Sequence, residues 1–439
     1  MRKVAAPQVA TTTKETKKDL PESVQAALGD LAGAAREGLL ALSVGVGLGV
    51  VHELMEAEVT EVVGPKGKHD PERSAVRHGH ESGRVTLGGR RVAVSRPRMR
   101  SVEEDCELAL DSYEHFADRD PLTDLVFERI MAGTSARSYG RANEPVGSEV
   151  EEESSSTSRS AVSRAFVERT RTGLGELMSR RLDDVRLAAL MIDGLEVCER
   201  THVVALGITT EGVKVPLGLW EGSTENAAVA RSLLSDLVDR GLDPEQGILF
   251  AIDGAKALAK AIRQVFGQAA PIQRCIRHKE RNVLDHLTDA EQQVVRGRLR
   301  SAWALDDHRL ATERLKVLAR ELDRSCPGAA ASLREGLEET LTVQRLGASE
   351  RLRRTLASTN PCESMIEIVR KTQGKVKRWQ GGDMRMRWTA AGMLEAERQF
   401  RRIIGYRDLA NLAVAVEREV AAAALPSPTR EEVAETVTV

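Results

Sequence analysis

The chain has 439 residues, 41% hydrophobic and 30% charged, which is the composition of a globular protein of about three domains and excludes a disordered or fibrous one. Aromatics make up only 3%, too few for base-stacking platforms to dominate, and five scattered cysteines without a CxxC pair exclude a disulfide scaffold and fit a reducing cytoplasm. The net charge of −2 is uninformative as a total but uneven along the chain: Lys66 to Arg100 carries ten basic against three acidic residues, and Arg345 to Arg407 fifteen against six. Such blocks are either solvated faces or surfaces for phosphates, where binding would be salt-dependent.

In chain order, residues 1–20 are polar and rich in Lys and Thr, with the composition of a disordered segment. No secretory signal is evident, and the longest apolar run, Leu39 to Val51, is 13 residues long, too short for a bilayer helix. Helical spacing extends from Pro21 to about Val62; Gly45, Gly47 and Gly49 lie inside it, away from any strand-to-helix turn, and make no nucleotide-binding fingerprint. Alternation over Arg84–Leu87 and Arg90–Val94 around Gly88-Gly89 predicts a β-hairpin. Residues Pro121 to Arg181 read as helices interrupted by a low-complexity loop at 147–160. Leu125–Ala132, a turn at Gly133, and Ser156–Arg164 resemble a helix-turn-helix whose second helix, with Arg164, could enter a major groove; the same residues equally suit a plain bundle with Ser caps.

The pattern changes at Leu187. Strands are predicted at Leu187–Ile192, His202–Thr209, Val213–Leu219, Ile248–Ile252 and Pro271–Cys275, with helices at Asn226–Arg240, at Ala255–Phe266 and after Cys275. That order predicts an α/β domain with a mixed five-stranded sheet. Leu284–Thr355 is helical throughout, and the tail after Leu425 is rich in Pro, Thr and Glu. The implied organisation is a disordered 1–20; a helical 21–115 with the basic hairpin; a helix-turn-helix-like 116–183; the first part of a catalytic domain at 184–285; a helical insertion at 286–355; completion of the catalytic domain at 356–412; and a helix and tail at 413–439.

Two of the predicted strands end alike, in Ile192-Asp193-Gly194 and Ile252-Asp253-Gly254. An Asp-Gly after a strand is a common turn, but two in adjacent central strands would set their carboxylates side by side. At about 4 Å and an effective dielectric near 20 they would repel by about 4 kcal/mol. A shared divalent cation removes that cost, so metal ligation is the better reading of the pair. A third acid, Glu363, follows Thr359-Asn360-Pro361 in the first turn of a predicted helix, with Arg370 seven residues on along the same face. It reads either as an active-site acid or as a capping-box residue. Glu367, at i+4, shares its face and is expected to pair with Arg370 or Lys371. Cys275 and His278 have the spacing of half a zinc site whose other half is missing from the sequence; His278 also reads as an ordinary helix-start histidine.

Together these residues carry a resemblance. The paired Ile-Asp-Gly strand ends, Cys275-Ile276-Arg277-His278, and Thr359-Asn360-Pro361-Cys362-Glu363 followed by Arg370 resemble a Mutator-type transposase of bacterial insertion sequences. The separations, 60 residues from Asp193 to Asp253 and 110 onward to Glu363, agree with that family's acidic triad, and Trp379 and Phe400–Tyr406 with its C-terminal pattern. The resemblance covers about Leu187 to Leu412. It implies an RNase H-like fold in which Asp193, Asp253 and Glu363 hold two Mg2+ (or Mn2+) ions and cleave and transfer DNA strands at terminal inverted repeats. It sets Cys275 and His278 beside the catalytic centre, His278 contacting DNA or supporting an acid; Arg370 and Lys371 on the helix of Glu363 and Arg164 of the helix-turn-helix-like segment are the further DNA-binding or supporting candidates. Its implied partners are the terminal repeats, target DNA and further copies of the chain on DNA, with no membrane, in the cytoplasm at the nucleoid. A catalytically silent DNA-binding protein of the same descent and an RNase H-like nuclease remain the alternatives.

Overall fold

The computed structural model describes residues 39–68, 73–87, 90–118, 123–135, 137–139, 155–156, 159–222, 226–374 and 376–424. The chain divides into two compact units, Met1–Phe166 and Val167–Val439.

In the first unit, α1 (Leu39–Val63) precedes β1 (Ala75–Leu87) and β2 (Arg90–Ser101), which pair antiparallel from Ala75↔Ser101 to Leu87↔Arg90. The predicted hairpin is thus present and longer than its alternating core; its Gly88-Gly89 turn lies outside the described residues, as do the expected disordered 1–20, the first part of the helix predicted from Pro21, and the tail after Leu425. Val59 and Val63 of α1 bury against Ala75, Met99 and Leu110. The next elements are β3 (Glu107–Leu108), α2 (Asp111–Asp118), α3 (Thr123–Met131), β4 (Ser155–Ser156) and the start of α4 (Arg159–Ser179), whose residues from Val167 on belong to the second unit. Glu58 of α1 accepts the free backbone N–H groups of Asp111 (2.8 Å) and Ser112 (3.1 Å), which ties α1 to the start of α2. Ser155 and Ser156, predicted as loop and as the start of a helix, instead form a short strand on Arg91 and Arg90, and the helix starts at Arg159. Serines with β-branched and polar neighbours lose little by adopting strand geometry where an edge is open to pair with.

The second unit is built on the five-stranded sheet β5 (Leu187–Val197), β6 (Arg200–Thr209), β7 (Lys214–Gly222), β8 (Leu249–Ile252) and β9 (Ile272–Arg274), in the order β7-β6-β5-β8-β9. β5, β6 and β7 are joined by turns and run antiparallel; β8 and β9 run parallel to β5. The alternation of side chains gives the sheet two faces. Leu190, Ile192, Phe250 and Ile252 bury against α5 (Ala227–Asp239) and α6 (Lys256–Phe266). Ala189, Met191, Leu249 and Ala251 bury on the opposite face, against Met365, Ile366 and Val369. Fully burying a side chain of that size is worth about 1.5–3 kcal/mol, so the central strands, apolar on both faces, are fixed firmly. The cap signals behave as predicted: the Asn226 side chain accepts the Ala228 and Val229 N–H groups at 3.0 Å, and α5 ends before Gly241, whose φ is +103°.

After β9 come α7 (Ile276–Leu284), α8 (Asp289–Trp303), α9 (His308–Ser325), α10 (Pro327–Arg334), α11 (Thr342–Arg345) and α12 (Glu350–Leu356), the first four sharing a core of their own around Leu299, Trp303, Leu315 and Leu333. The chain returns to the sheet with α13 (Asn360–Gln373), which together with α14 (Gly382–Gln399) and α15 (Leu409–Ala424) covers its second face. No described helix is long and apolar enough to cross a membrane.

Candidate active site

The two Ile-Asp-Gly segments differ in local structure. β5 does not end at Asp193, as the sequence suggested, but continues to Val197, because β6 pairs with it through Asp193↔Val204 as far as Val197↔Arg200. On its other side β8 stops at Ile252, the partner of Ile192. Asp193 and Asp253 are therefore the next residues on two neighbouring parallel strands. By the alternation through Ala189, Met191 and Asp193, the first acid belongs to the face covered by α13. Gly194 stays in the strand, whereas Gly254 has φ +106°, a conformation that glycine adopts without strain. The Asp193 Oδ1 accepts the Gly194 N–H at 2.9 Å, and the Asp253 Oδ1 accepts the Ala255 N–H at 2.8 Å, so both carboxylates are held by backbone.

Glu363 comes from the first turn of α13, where the Thr359 carbonyl accepts its N–H at 2.9 Å and the Thr359 hydroxyl donates to Oε1 at 3.1 Å. Thr359 is the N-cap and Pro361 lies in the first turn, as the sequence signals indicated. The Asp193 carboxyl is pushed up to about 6, first by burial and further by the charges of Asp253 and Glu363, against the opposing Gly194 N–H and His278. Asp193 is thus close enough to feel both other acids, which come from two other chain segments.

Cys275 and His278 lie in the first turn of α7, which begins where β9 ends. His278 Nε2 is 3.7 Å from Glu363 Oε1, while its Nδ1 is buried without a hydrogen-bond partner among the described residues. The Cys275 sulfur beside it, with Asp193 and Glu363, raises His278 to about 9 against the effect of burial. Burial pushes the Cys275 thiol up, but His278 and the Thr359 N–H, 3.4 Å from the sulfur, bring it below the ordinary thiol range. One ligand atom each of Cys275, His278 and Glu363 lie within 4.8 Å of one another.

Not every predicted residue joins this centre. Arg370 is exposed on α13, and Lys371 pairs with Glu367 at 2.9 Å on the helix surface. Arg164 is exposed on α4 in the first unit, where Val162 and Phe166 of the same helix bury. The hairpin arginines are largely engaged within their unit: Arg77 with Glu56, Arg96 with Glu81 and Glu107, Arg98 with Glu107. Sequence reasoning missed Arg274, whose buried guanidinium backs onto Gly254 and donates through Nη1 to the Glu335 carbonyl at 2.8 Å. It also missed a cleft of about 490 Å3 beside the starts of α7 and α13, lined by Arg277, Arg300, Arg353, Arg354 and Asn360. A basic residue next to a strand-ending cysteine was the only available signal for the first; arginines distant in sequence gave none for the second.

The donor set suits a hard divalent cation. Three carboxylates offer oxygen atoms, and a cation among them would offset both the burial and the neighbouring negative charges that push Asp193 up to about 6.

The site thus belongs to a mixed α/β protein with three carboxylates gathered at one end of its sheet. The sequence model described as "Transposase, Mutator family" matches residues 31–402, and the chain belongs to that family. The transposase for insertion sequence element IST2 of Acidithiobacillus ferrooxidans is 31% identical over 176 residues, 40% of this chain and 58% of that relative. The transposase for insertion sequence element ISRM3 of Rhizobium meliloti (strain 1021) is 26% identical over 337 residues, 74% of this chain and 80% of that relative. The transposase for insertion sequence element IS905 of Lactococcus lactis subsp. lactis (strain IL1403) is 30% identical over 174 residues, 39% and 43% of the two chains. The chain therefore spans 58% of the first of these relatives, 80% of the second and 43% of the third.

Proposed function

We propose that this protein is a DNA transposase that cuts strands at the terminal inverted repeats of its insertion sequence and transfers them to target DNA, with Asp193, Asp253 and Glu363 as the acids of an RNase H-like catalytic domain. One observation carries the reading: the register Ile192↔Ile252 on parallel neighbouring strands, which leaves Asp193 and Asp253 abreast where β8 ends. The sheet order, with three antiparallel strands followed by two parallel ones, supports it, as does the helical segment inserted before Glu363. So do the family and the relatives, which are named as insertion-sequence transposases.

Two Mg2+ (or Mn2+) ions held by the three carboxylates would supply Lewis-acid activation of the attacking oxygen and neutralise charge on the leaving one. The protein's own part is rigid presentation. Backbone N–H groups fix Asp193 and Asp253, a helix start fixes Glu363, and His278 offsets the local negative charge. Arg277 beside the cleft, Arg370 on α13 and Arg164 on α4 are the groups this reading assigns to phosphates, while Arg300 and Lys371 would have to exchange their partners Glu280 and Glu367 for one. Cutting both ends of an element calls for two active centres, hence more than one copy on DNA, acting in the cytoplasm at the nucleoid.

The test is to incubate the purified full chain and Mg2+ with duplexes carrying the element's ends or scrambled ends. Strand-specific nicking at the true ends, followed by joined products, is the expected result. Nicking without end preference would leave a nuclease, and end binding without nicking a silent DNA-binding protein.

A further inference from the structure

We propose that Cys275, His278 and Glu363 form a three-ligand site for a thiophilic divalent metal of the Zn2+ class, in which the metal captures the catalytic glutamate. The proposal rests on the assignment of Glu363 to the active centre for its consequence, but not for the binding itself.

The sequence offered only Cys275 and His278. The fold supplies the third ligand, 85 residues after His278, from the first turn of α13, which it presents to the start of α7. A tetrahedral zinc with bonds of about 2.3 Å to sulfur and about 2.0–2.2 Å to nitrogen and oxygen sets its ligand atoms about 3.4–3.6 Å apart. His278 and Glu363 are 3.7 Å apart and the whole set lies within 4.8 Å, so closure needs about 1 Å of movement. Glu363 is a flexible, partly exposed side chain that can supply it. His278 turns Nε2 toward Glu363, which makes Nε2 the ligand atom; Nδ1, on the other side of the ring, is buried with no hydrogen-bond partner among the described residues. Cys275 is fully buried, which shields it from oxidation and disulfide exchange.

The donor set is softer than the three carboxylates. Sulfur and imidazole select Zn2+, whereas Asp193 and Asp253 offer only oxygen, suited to Mg2+. Glu363 is common to both sets. Occupancy of the soft site withdraws it from the hard one, so a metal of this class would silence strand cleavage without displacing DNA.

The test uses Co2+ as a spectroscopic stand-in for Zn2+ on the full chain. Expected is a thiolate-to-cobalt charge-transfer band saturating at one ion per chain and reversed by Zn2+. Cys275→Ser should abolish the band. Glu363→Gln, at a partly exposed position that does not threaten folding, should keep the band but weaken Co2+ binding about tenfold or more. Asp253→Asn should leave both unchanged. No band in the native chain, a band that survives Cys275→Ser, or unaltered affinity in Glu363→Gln would overturn the proposal. Because the readout is spectroscopic, loss of the band with intact cleavage refutes only this site. A normal band in a chain that never cleaves DNA refutes only the assigned function.

Discussion

Replacing Gly254 by alanine tests whether the turn behind Asp253 is built as described. The residue has φ +106°, and an added Cβ would stand 2.1 Å from Arg274 Nε. A non-glycine residue in so unfavourable a backbone conformation costs about 1–3 kcal/mol. Arg274 cannot simply swing into solvent, since its side chain is only 7% exposed and its guanidinium donates to the Glu335 carbonyl. Losing a charge-assisted hydrogen bond there adds about 1.5–3 kcal/mol, for a total of roughly 2.5–6 kcal/mol. At about 2–4 °C per kcal/mol for a unit of this size, the melting temperature should fall by roughly 5–20 °C. Gly267 is the control: its φ is +89°, but nothing lies within 4 Å of its would-be Cβ, so Gly267→Ala should cost only the backbone part. Calorimetric melting of both variants in the full chain makes the comparison. Equal destabilisation would refute the argument that Arg274 occupies the space behind the Asp253 turn.

Asp193→Asn and Asp253→Asn should each abolish strand cleavage while leaving binding to end-bearing DNA intact, and normal cleavage by either in a gel assay would overturn the acid assignment. Glu363→Gln should eliminate cleavage in Mg2+, whereas Glu367→Gln should leave most of it, because Glu367 is exposed and engaged with Lys371 in an i,i+4 surface pair. Glu221 is held at about 2, chiefly by two 2.9 Å hydrogen bonds from Arg385, against an ordinary 4.5. Its folded value is depressed, so its stabilisation is complete above about pH 4.5 and is lost as pH falls toward 2. After discounting for solvent screening this is about 1–2 kcal/mol, and Glu221→Gln should flatten the acid side of the stability–pH curve by that much in urea unfolding.

Much of the second unit was legible because its signals are local. The five strands and the first three helices after β7 follow from apolar runs bounded by Gly, Asn and Pro, and the position of Glu363 in a first helical turn follows from Thr359 and Pro361. What escaped depends on pairing. Asp193 and Asp253 carry the same local sequence, yet one lies within a strand and the other just after one, because only β5 has a neighbour that extends beyond the acid. The hairpin shows the same limit for charge. Ten basic residues against three acids suggested an open positive surface, but Glu56 and Glu107 come from outside that window and engage Arg77, Arg96 and Arg98. Counting charge along the chain cannot find acids that approach from other elements.

The helical segment between the second Asp and Glu363 illustrates how such long-range contacts bear on the site. Read from the sequence, residues 286–355 look like a module that could be removed. In the fold, Glu335, just past the end of α10, receives Arg274 of the edge strand through its carbonyl, and the same carbonyl and that of Ser332 accept the ammonium of the wholly buried Lys279 from α7. Arg274 in turn fills the space behind the Gly254 turn, so the insertion reaches Asp253 through one side chain. Burial, with the charge of Arg274 beside it, brings Lys279 down to about 8 against the opposing charges of Glu335 and Glu339. Removing the segment would leave two basic groups buried and unpaired beside the second acid, at a cost of several kcal/mol. The helical segment is therefore part of what holds the β8–β9 edge of the sheet in shape.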